Sequence, residues 1–243
     1  MKLLRLPGES LQNEINDLDL DIIMYIFAPS LYTLFTYAAY LSDAYYSNTT
    51  RNNIPVVLIV SAIIIASYFV KKSLGLISKR NNLRVGLEAE RAVGEELNRI
   101  CTFGCLSFHD FPAGNFNIDH ILISKSGVYA IETKGRSKLI AVDNNWKVQY
   151  ENNKLIFPNT EETKPIQQAK NQAQWLSNFL SQKLRDEIQV KAVLAIPGWY
   201  TELKQKPKNL IITNGKNLTF LAKGKECIDE NKMLLIVKKI QEI

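Results

Sequence analysis

Hydrophobic positions along this chain follow three different rules in succession. From Ile22 to Leu41, and again from Ile54 to Val70, they are nearly continuous, and neither run holds a charged residue. A helix needs about 17–25 apolar residues to cross a bilayer core, and both runs meet that length. From Gly86 to Ile100 the apolar residues thin to helical spacing, with Leu87, Val93, Leu97 and Ile100 on one stripe. From Phe116 to Lys134 they change again, into two strand-like runs separated by the turn signal Ser124–Gly127.

The first rule predicts a membrane-anchoring helical hairpin within residues 1–85, with spans at about 22–41 and 54–70. Pro29 and the tyrosines at 25, 32, 37 and 40 are compatible with a membrane helix, although a segment of this kind can also lie on the membrane or in a core. A signal peptide fits less well, because acids precede the apolar run and no small-residue cleavage site follows it. The basic flank Lys71, Lys72, Lys79, Arg80 and Arg84, with Lys2 and Arg5 at the start, places both ends in the cytoplasm. The expected location is the cell inner membrane, multi-pass, with the N-terminus and the rest of the chain on the cytoplasmic side. A glycosylation sequon at Asn48 carries little weight.

Residues 86–243 predict one domain. Helices are expected at 86–100, at 163–184 opening near Pro165, and at 227–243. Strands are expected at 116–124, 128–134, 138–142, 145–150, 154–159, 190–196 and 209–213. That order predicts an α/β class: a mixed central sheet flanked by helices, with a largely antiparallel start.

Composition narrows the partners. The chain has 243 residues, 46% of them hydrophobic, and a net charge of +6. A mild basic excess suits an anionic partner, nucleic acid or lipid headgroup. Cys101, Cys105 and Cys227 are odd in number and lack metal-ligand spacing, so buried free thiols are expected. No glycine-rich phosphate loop, Ser/His/Asp nucleophile set or zinc cluster is visible.

Charge placement carries the chemistry. In "FNIDHILISKSGVYAIETKG" (116–135), Val128, Ala130, Glu132 and Lys134 share one strand face. Pairing of the two runs as a hairpin brings Asp119 near Glu132 and Lys134, at the end away from the turn. Two neighbouring carboxylates repel unless a cation lies between them. Mg²⁺ prefers such oxygens, and Lys134 can assist water or offset transition-state charge. Glu90 stands on the apolar stripe of its helix, where an unpaired carboxylate is costly. Gln168, near the start of the 163–184 helix, can bond a phosphate or the nucleophile. The plain reading of an E-x-K on a strand is a solvated face with an internal ion pair. His120 is expected to pack structurally or to contact substrate; His109 shows no partner in the sequence. Arg136 and Lys138, and the loop lysines 204, 206 and 208, are either phosphate contacts or solvated positions.

The motifs "GLEAERAVGEEL", "NIDHILISKSGVYAIETKG" and "KPIQQA", in that order, resemble the nuclease-related domain family, NERD, over about residues 86–200. That family is similar to the PD-(D/E)XK, restriction-endonuclease-like superfamily. Its usual glycine before the first acid is Ala89 here. The resemblance implies metal-dependent phosphodiester hydrolysis. It implies catalytic roles for Glu90, Asp119, Glu132, Lys134 and Gln168, and metal ligation by Asp119, Glu132 and Thr133, with Mg²⁺ the cofactor and Mn²⁺ able to substitute. The function expected is a membrane-anchored Mg²⁺-dependent endonuclease, with DNA ahead of RNA as partner. Its rivals are a nucleic-acid or nucleotide binding module without turnover, and a membrane scaffold that recruits a protein. The oligomeric state is not legible.

Overall fold

The computed structural model describes residues 5–46, 54–137 and 146–242. The expected strand at 138–142, together with Lys2, Asn48 and Lys138, lies outside them. The chain forms two compact units, one of residues 1–11 and 85–243 and the other of residues 12–84.

The smaller unit is made of two long helices, α1 (Glu9–Tyr46) and the first part of α2 (Ile54–Ile100). Both are long and apolar enough to cross a membrane. Their apolar side chains are largely exposed, Phe27 at 70% and Phe35 at 75%, which separates them from core helices of similar composition. Tyr32 and Ser61 share a hydrogen bond of 3.0 Å, Tyr25 meets Phe69 at 5.5 Å, and Lys79 pairs with Glu14 at 2.7 Å. Pro29 is tolerated inside α1, where Thr33 Oγ1 donates to its carbonyl at 2.8 Å. The basic segment after Val70 stays helical, so the expected helix at 86–100 is the end of α2 and not a separate element. Its Lys, Arg and Leu content favours helix, and no proline interrupts it.

In the larger unit a 3-10 turn at Cys101–Phe103 ends α2. There follow β1 (Leu106–Pro112), β2 (Asn117–Ser124), β3 (Gly127–Thr133), β4 (Lys147–Glu151), β5 (Lys154–Phe157) and β6 (Thr160–Glu162). Next come α3 (Lys164–Leu184), β7 (Val190–Ala195), β8 (Tyr200–Leu203), β9 (Ile211–Thr213), α4 (Thr219–Ala222) and α5 (Glu230–Gln241). The main sheet runs β1-β2-β3-β7-β9, and a smaller sheet runs β6-β5-β4-β8. The first three strands are antiparallel, and a tight turn closing at Gly127, with φ 140°, joins β2 to β3. β7 and β9 then add in parallel, which requires the long crossover through α3. This is the mixed α/β sheet flanked by helices that the sequence predicts.

Every residue of β3 is buried, because helices cover both faces. Val128 and Ala130 pack with Ile166, Ala169, Ala173 and Leu176 of α3. Tyr129 and Ile131 pack with Val93, Leu97 and Ile100 of α2. Each of these large α2 side chains is fully buried and contributes roughly 1.5–3 kcal/mol. All three cysteines are free, but only Cys105 is buried; Cys227 is exposed on the segment before α5, where no stripe requires its burial.

Candidate active site

The site forms at the end of the β2–β3 hairpin farthest from its turn. Pairing runs from Ser124–Gly127 to His120–Ile131 and goes no further. The Lys134 amide donates to Ala195 O of β7 at 2.8 Å, so by alternation the Thr133 amide faces β2. Its acceptor is not a β2 carbonyl but Asp119 Oδ2, at 2.7 Å. The strands part here, and the Asp119 carboxylate fills the wedge.

Glu132 continues the face of Val128 and Ala130 toward α3 and is 4% exposed. Gln172 of α3 donates from Nε2 to Glu132 Oε2 at 2.6 Å and reaches Asn117 O at 3.3 Å. Gln172 is itself buried, and its Oε1 has no hydrogen-bond partner among the described residues. Gln168 lies one turn earlier and is exposed. Sequence reasoning therefore missed the glutamine that touches Glu132. The signal was available, since Gln172 sits beside Ala169, Ala173 and Leu176 on the apolar stripe.

Glu90, on α2, is 9% exposed. Its carboxyl is pushed up from the ordinary range to about 9, first by burial, then by the charges of Asp119 and Asp110. Asp119 is pushed up to about 7 by burial and by Asp110, against the opposing pull of the Thr133 amide and Lys134. Glu132 is pushed well above its ordinary range by burial and then by Asp119; the Gln172 bond and Lys134 act the other way, and Glu90 adds to the rise. The fold thus brings Glu90, Asp119, Glu132 and Lys134 within electrostatic reach of one another.

Asp110 is the second omission of the sequence reading. It is 3% exposed on β1 and takes φ 48°, in the left-handed region. Asn117 Nδ2 donates to Asp110 Oδ1 at 2.8 Å. Asp110 lies between Phe108 and Phe111, but the polar Ser107 and His109 break the strand pattern there, so the signal that picked out Asp119 was missing.

His120 is fully buried, and its Nδ1 lies 2.8 Å from His109 Nδ1. His109 Nε2 is 3.1 Å from Asn98 Oδ1, an acceptor. The network therefore assigns the proton of His109 to Nε2 and makes His120 Nδ1–H the donor between the rings. Burial holds His109 down to about 4, and His120 well below the usual range, so both are neutral. Arg136 is committed to an ion pair with Glu162 and lies over the Phe157 ring at 5.3 Å. Lys204 pairs with Glu202 at 3.3 Å, while Lys206 and Lys208 are exposed.

A family model described as nuclease-related domain matches residues 85–197. That segment is similar to the NERD family. The NERD segment contains Glu90, Asp119, Glu132, Lys134, Gln168 and Gln172. No curated protein and no solved structure matches the chain.

In the NERD segment, Asp119 and Glu132 are the carboxylates that could hold a hard cation. Asp119 and Glu132 each engage one oxygen, Oδ2 and Oε2, in the bonds above. Their mutual repulsion is the kind a cation relieves. Among the described residues no group of three or more His, Cys, Asp or Glu side chains is arranged to hold a metal ion. Further ligands would come from backbone, such as the Thr133 carbonyl, and from water.

Proposed function

We propose that the chain is a membrane-anchored, Mg²⁺-dependent nuclease that hydrolyses phosphodiester bonds, with DNA as substrate. One observation carries this reading. Asp119 and Glu132, from the two arms of the hairpin, are both hindered from ionising by burial, Glu132 also by the charge of Asp119, beside Lys134 and within the NERD segment. Neighbouring carboxylates hindered from ionising mark places where a cation or a proton transfer can use them.

Asp119, Glu132 and the Thr133 carbonyl would hold the ion. When bound, the ion supplies charge neutralisation at the phosphate and a lowered pKa for water. Lys134 places a positive charge beside the carboxylates, where it orients the attacking water and offsets charge that develops on the phosphoryl oxygens. Water oxygen bonds to phosphorus, the bond from phosphorus to the leaving oxygen breaks, and that oxygen takes a proton. Glu90, held protonated near neutral pH, has a proton to give. Gln172 fixes the carboxylate of Glu132. The exposed apolar surface of α1 and of the first part of α2 supports the anchor, and the basic flank supports a cytoplasmic site.

The absence of a three-residue ligand cluster among the described residues favours a second reading, nucleic-acid binding without turnover. Plasmid degradation separates the two. Wild type should cut with Mg²⁺ and not with a chelator, and Glu132→Ala and Lys134→Ala should not cut. Equal cutting by all three proteins refutes the hydrolytic assignment. Mg²⁺-independent binding without products selects the binding module.

A further inference from the structure

The residues that pack against α2 around Glu90 include some from outside the NERD segment. These come from the start of the chain. Gly8, at φ 71°, lies so close to α2 that a Cβ there would stand 2.5 Å from Leu87 Cδ1 and 3.4 Å from Glu90 Oε2. Across the same surface, a Cβ on Gly94 would stand 2.4 Å from Pro7 Cγ. Gly94 thus has no room for a side chain beside the Pro7 ring, and at Gly8 a side chain would be strained by φ 71° and would have to displace Leu87. Gly94 also borders His120, whose Cε1 would be 3.6 Å from that Cβ.

The segment is latched from the other direction by Asp110. Ser10 donates to it twice, from its amide to Oδ2 at 2.9 Å and from Oγ to Oδ1 at 2.8 Å. Arg5 Nη1 reaches the Asp110 carbonyl at 3.3 Å and its carboxylate at 3.5 Å. The Ser10 amide belongs to the first turn of α1, so Asp110 satisfies a helix-start donor from a distant strand. From Asp110 the bonds continue to Asn117, from Asn117 O to Gln172, and from Gln172 to Glu132. A left-handed aspartate costs backbone energy, and this one is held by partners on two segments, residues 5–10 and β2.

We propose that residues 5–10 are a strap belonging to the site: latched by Asp110, it walls off Glu90 and fixes α2 against the β1–β2 pair so that Glu90 stands beside Asp119. The proposal rests on the reading of these acids as a hydrolytic site. Arg5, Ser10 and Asp110 are positioning residues, since they act through Glu90, Asp119 and Glu132. The anchor and the site are then one piece in sequence: the residues that begin α1 also complete the site.

The test uses full-length protein in detergent and three variants. Gly8→Ala places a Cβ on a left-handed backbone against Leu87, Ser10→Ala removes a latch bond, and Asp110→Asn keeps the side-chain shape without its charge. Hydrogen exchange should show amides 5–11 opening in each variant while the β3 and β7 amides keep their protection. The kcat for plasmid cleavage should fall about tenfold or more with KM for DNA unchanged, because a misplaced acid slows the step without loosening the substrate. A strap that contacts DNA directly would raise KM instead, and that result overturns the proposal. So does an unchanged kcat in variants whose strap has opened. If wild type fails to cleave, the nuclease reading is what falls; the strap is then judged by Mn²⁺ affinity. A several-fold change in the open variants supports it, and an unchanged affinity overturns it.

Discussion

Replacing Glu90 by Gln should stabilise the protein at neutral pH and remove Glu90's share of the pH dependence of its stability, leaving that of Asp119 and Glu132. The Glu90 carboxyl moves from an ordinary 4.5 to about 9 in the folded chain, chiefly through burial. Its folded value lies above its unfolded value, so folding takes up a proton across that window. The contribution is full below pH 4.5 and is lost as pH rises toward 9, at ~1.4 kcal/mol per pH unit. By pH 7 the loss reaches about 3 kcal/mol, a large share of the roughly 5–15 kcal/mol that holds a domain together. Glutamine matches the shape and carries no proton to lose, so the variant escapes this penalty. All three tryptophans lie in the larger unit, which makes fluorescence a report on the relevant fold. Guanidinium unfolding in detergent, with chelator present, should give wild type a falling stability from pH 5 to 8 and Glu90→Gln a flatter one. The curves should lie close together at pH 5 and separate progressively above it. Parallel curves would refute the claim that the fold buries Glu90 at a cost.

Three further outcomes follow from the same structure. Gln172→Ala frees Glu132 Oε2 from its 2.6 Å bond and should weaken Mn²⁺ binding several-fold by calorimetric titration, while Gln168→Ala, at an exposed position, should not; equal effects would place Gln172 outside the site. Asp119→Ala leaves the Thr133 amide without its acceptor, at about 1–3 kcal/mol, whereas Asp119→Asn can keep the bond; the Asn variant should melt higher than the Ala variant, and identical melting would discount the wedge contact. Leu97→Ala, at a fully buried position against the main sheet, should cost about 2–5 kcal/mol in denaturant titrations; a cost below 1 kcal/mol would contradict the packing described for α2.

Much of the fold was legible because its strongest signals are periodic. The two apolar runs, the amphipathic stripe of α3 and the alternation in β2 and β3 each declare one geometry. Boundaries were less legible where two signals compete. Basic residues 71–84 look like a linker beside a membrane span, yet they are good helix formers, and α2 runs through them unbroken. β1 drew no expectation, because Ser107, His109 and Asp110 break its apolar pattern. Those three polar side chains are satisfied only in tertiary structure, by Asn98, His120, Ser10 and Asn117, none of them an adjacent residue in the chain. β8 is four residues long and half exposed, and its place is set by pairing with β4.

The site shows why residue types are easier to read than residue partners. Asp119, Glu132 and Glu90 stand out in sequence because each is an acid in an apolar pattern, and an apolar pattern is a statement about burial. Which glutamine meets Glu132 depends instead on where α3 lies across the sheet, a displacement of one helical turn that no local signal encodes. Gln168 follows the family's motif, but Gln172 faces the same side as Ala169 and Leu176 and is carried into the core with them. The parting of β2 from β3 is likewise a property of two strands together. Past His120 the antiparallel ladder would need a β2 carbonyl opposite the Thr133 amide, and the Asp119 carboxylate takes its place. One side chain thereby ends the ladder, satisfies the orphaned donor, and is left facing Glu132 on the hairpin's other arm. The break in the sheet and the gathering of charge are one event, and for that reason the acids lie at the end of the hairpin and nowhere along its paired length.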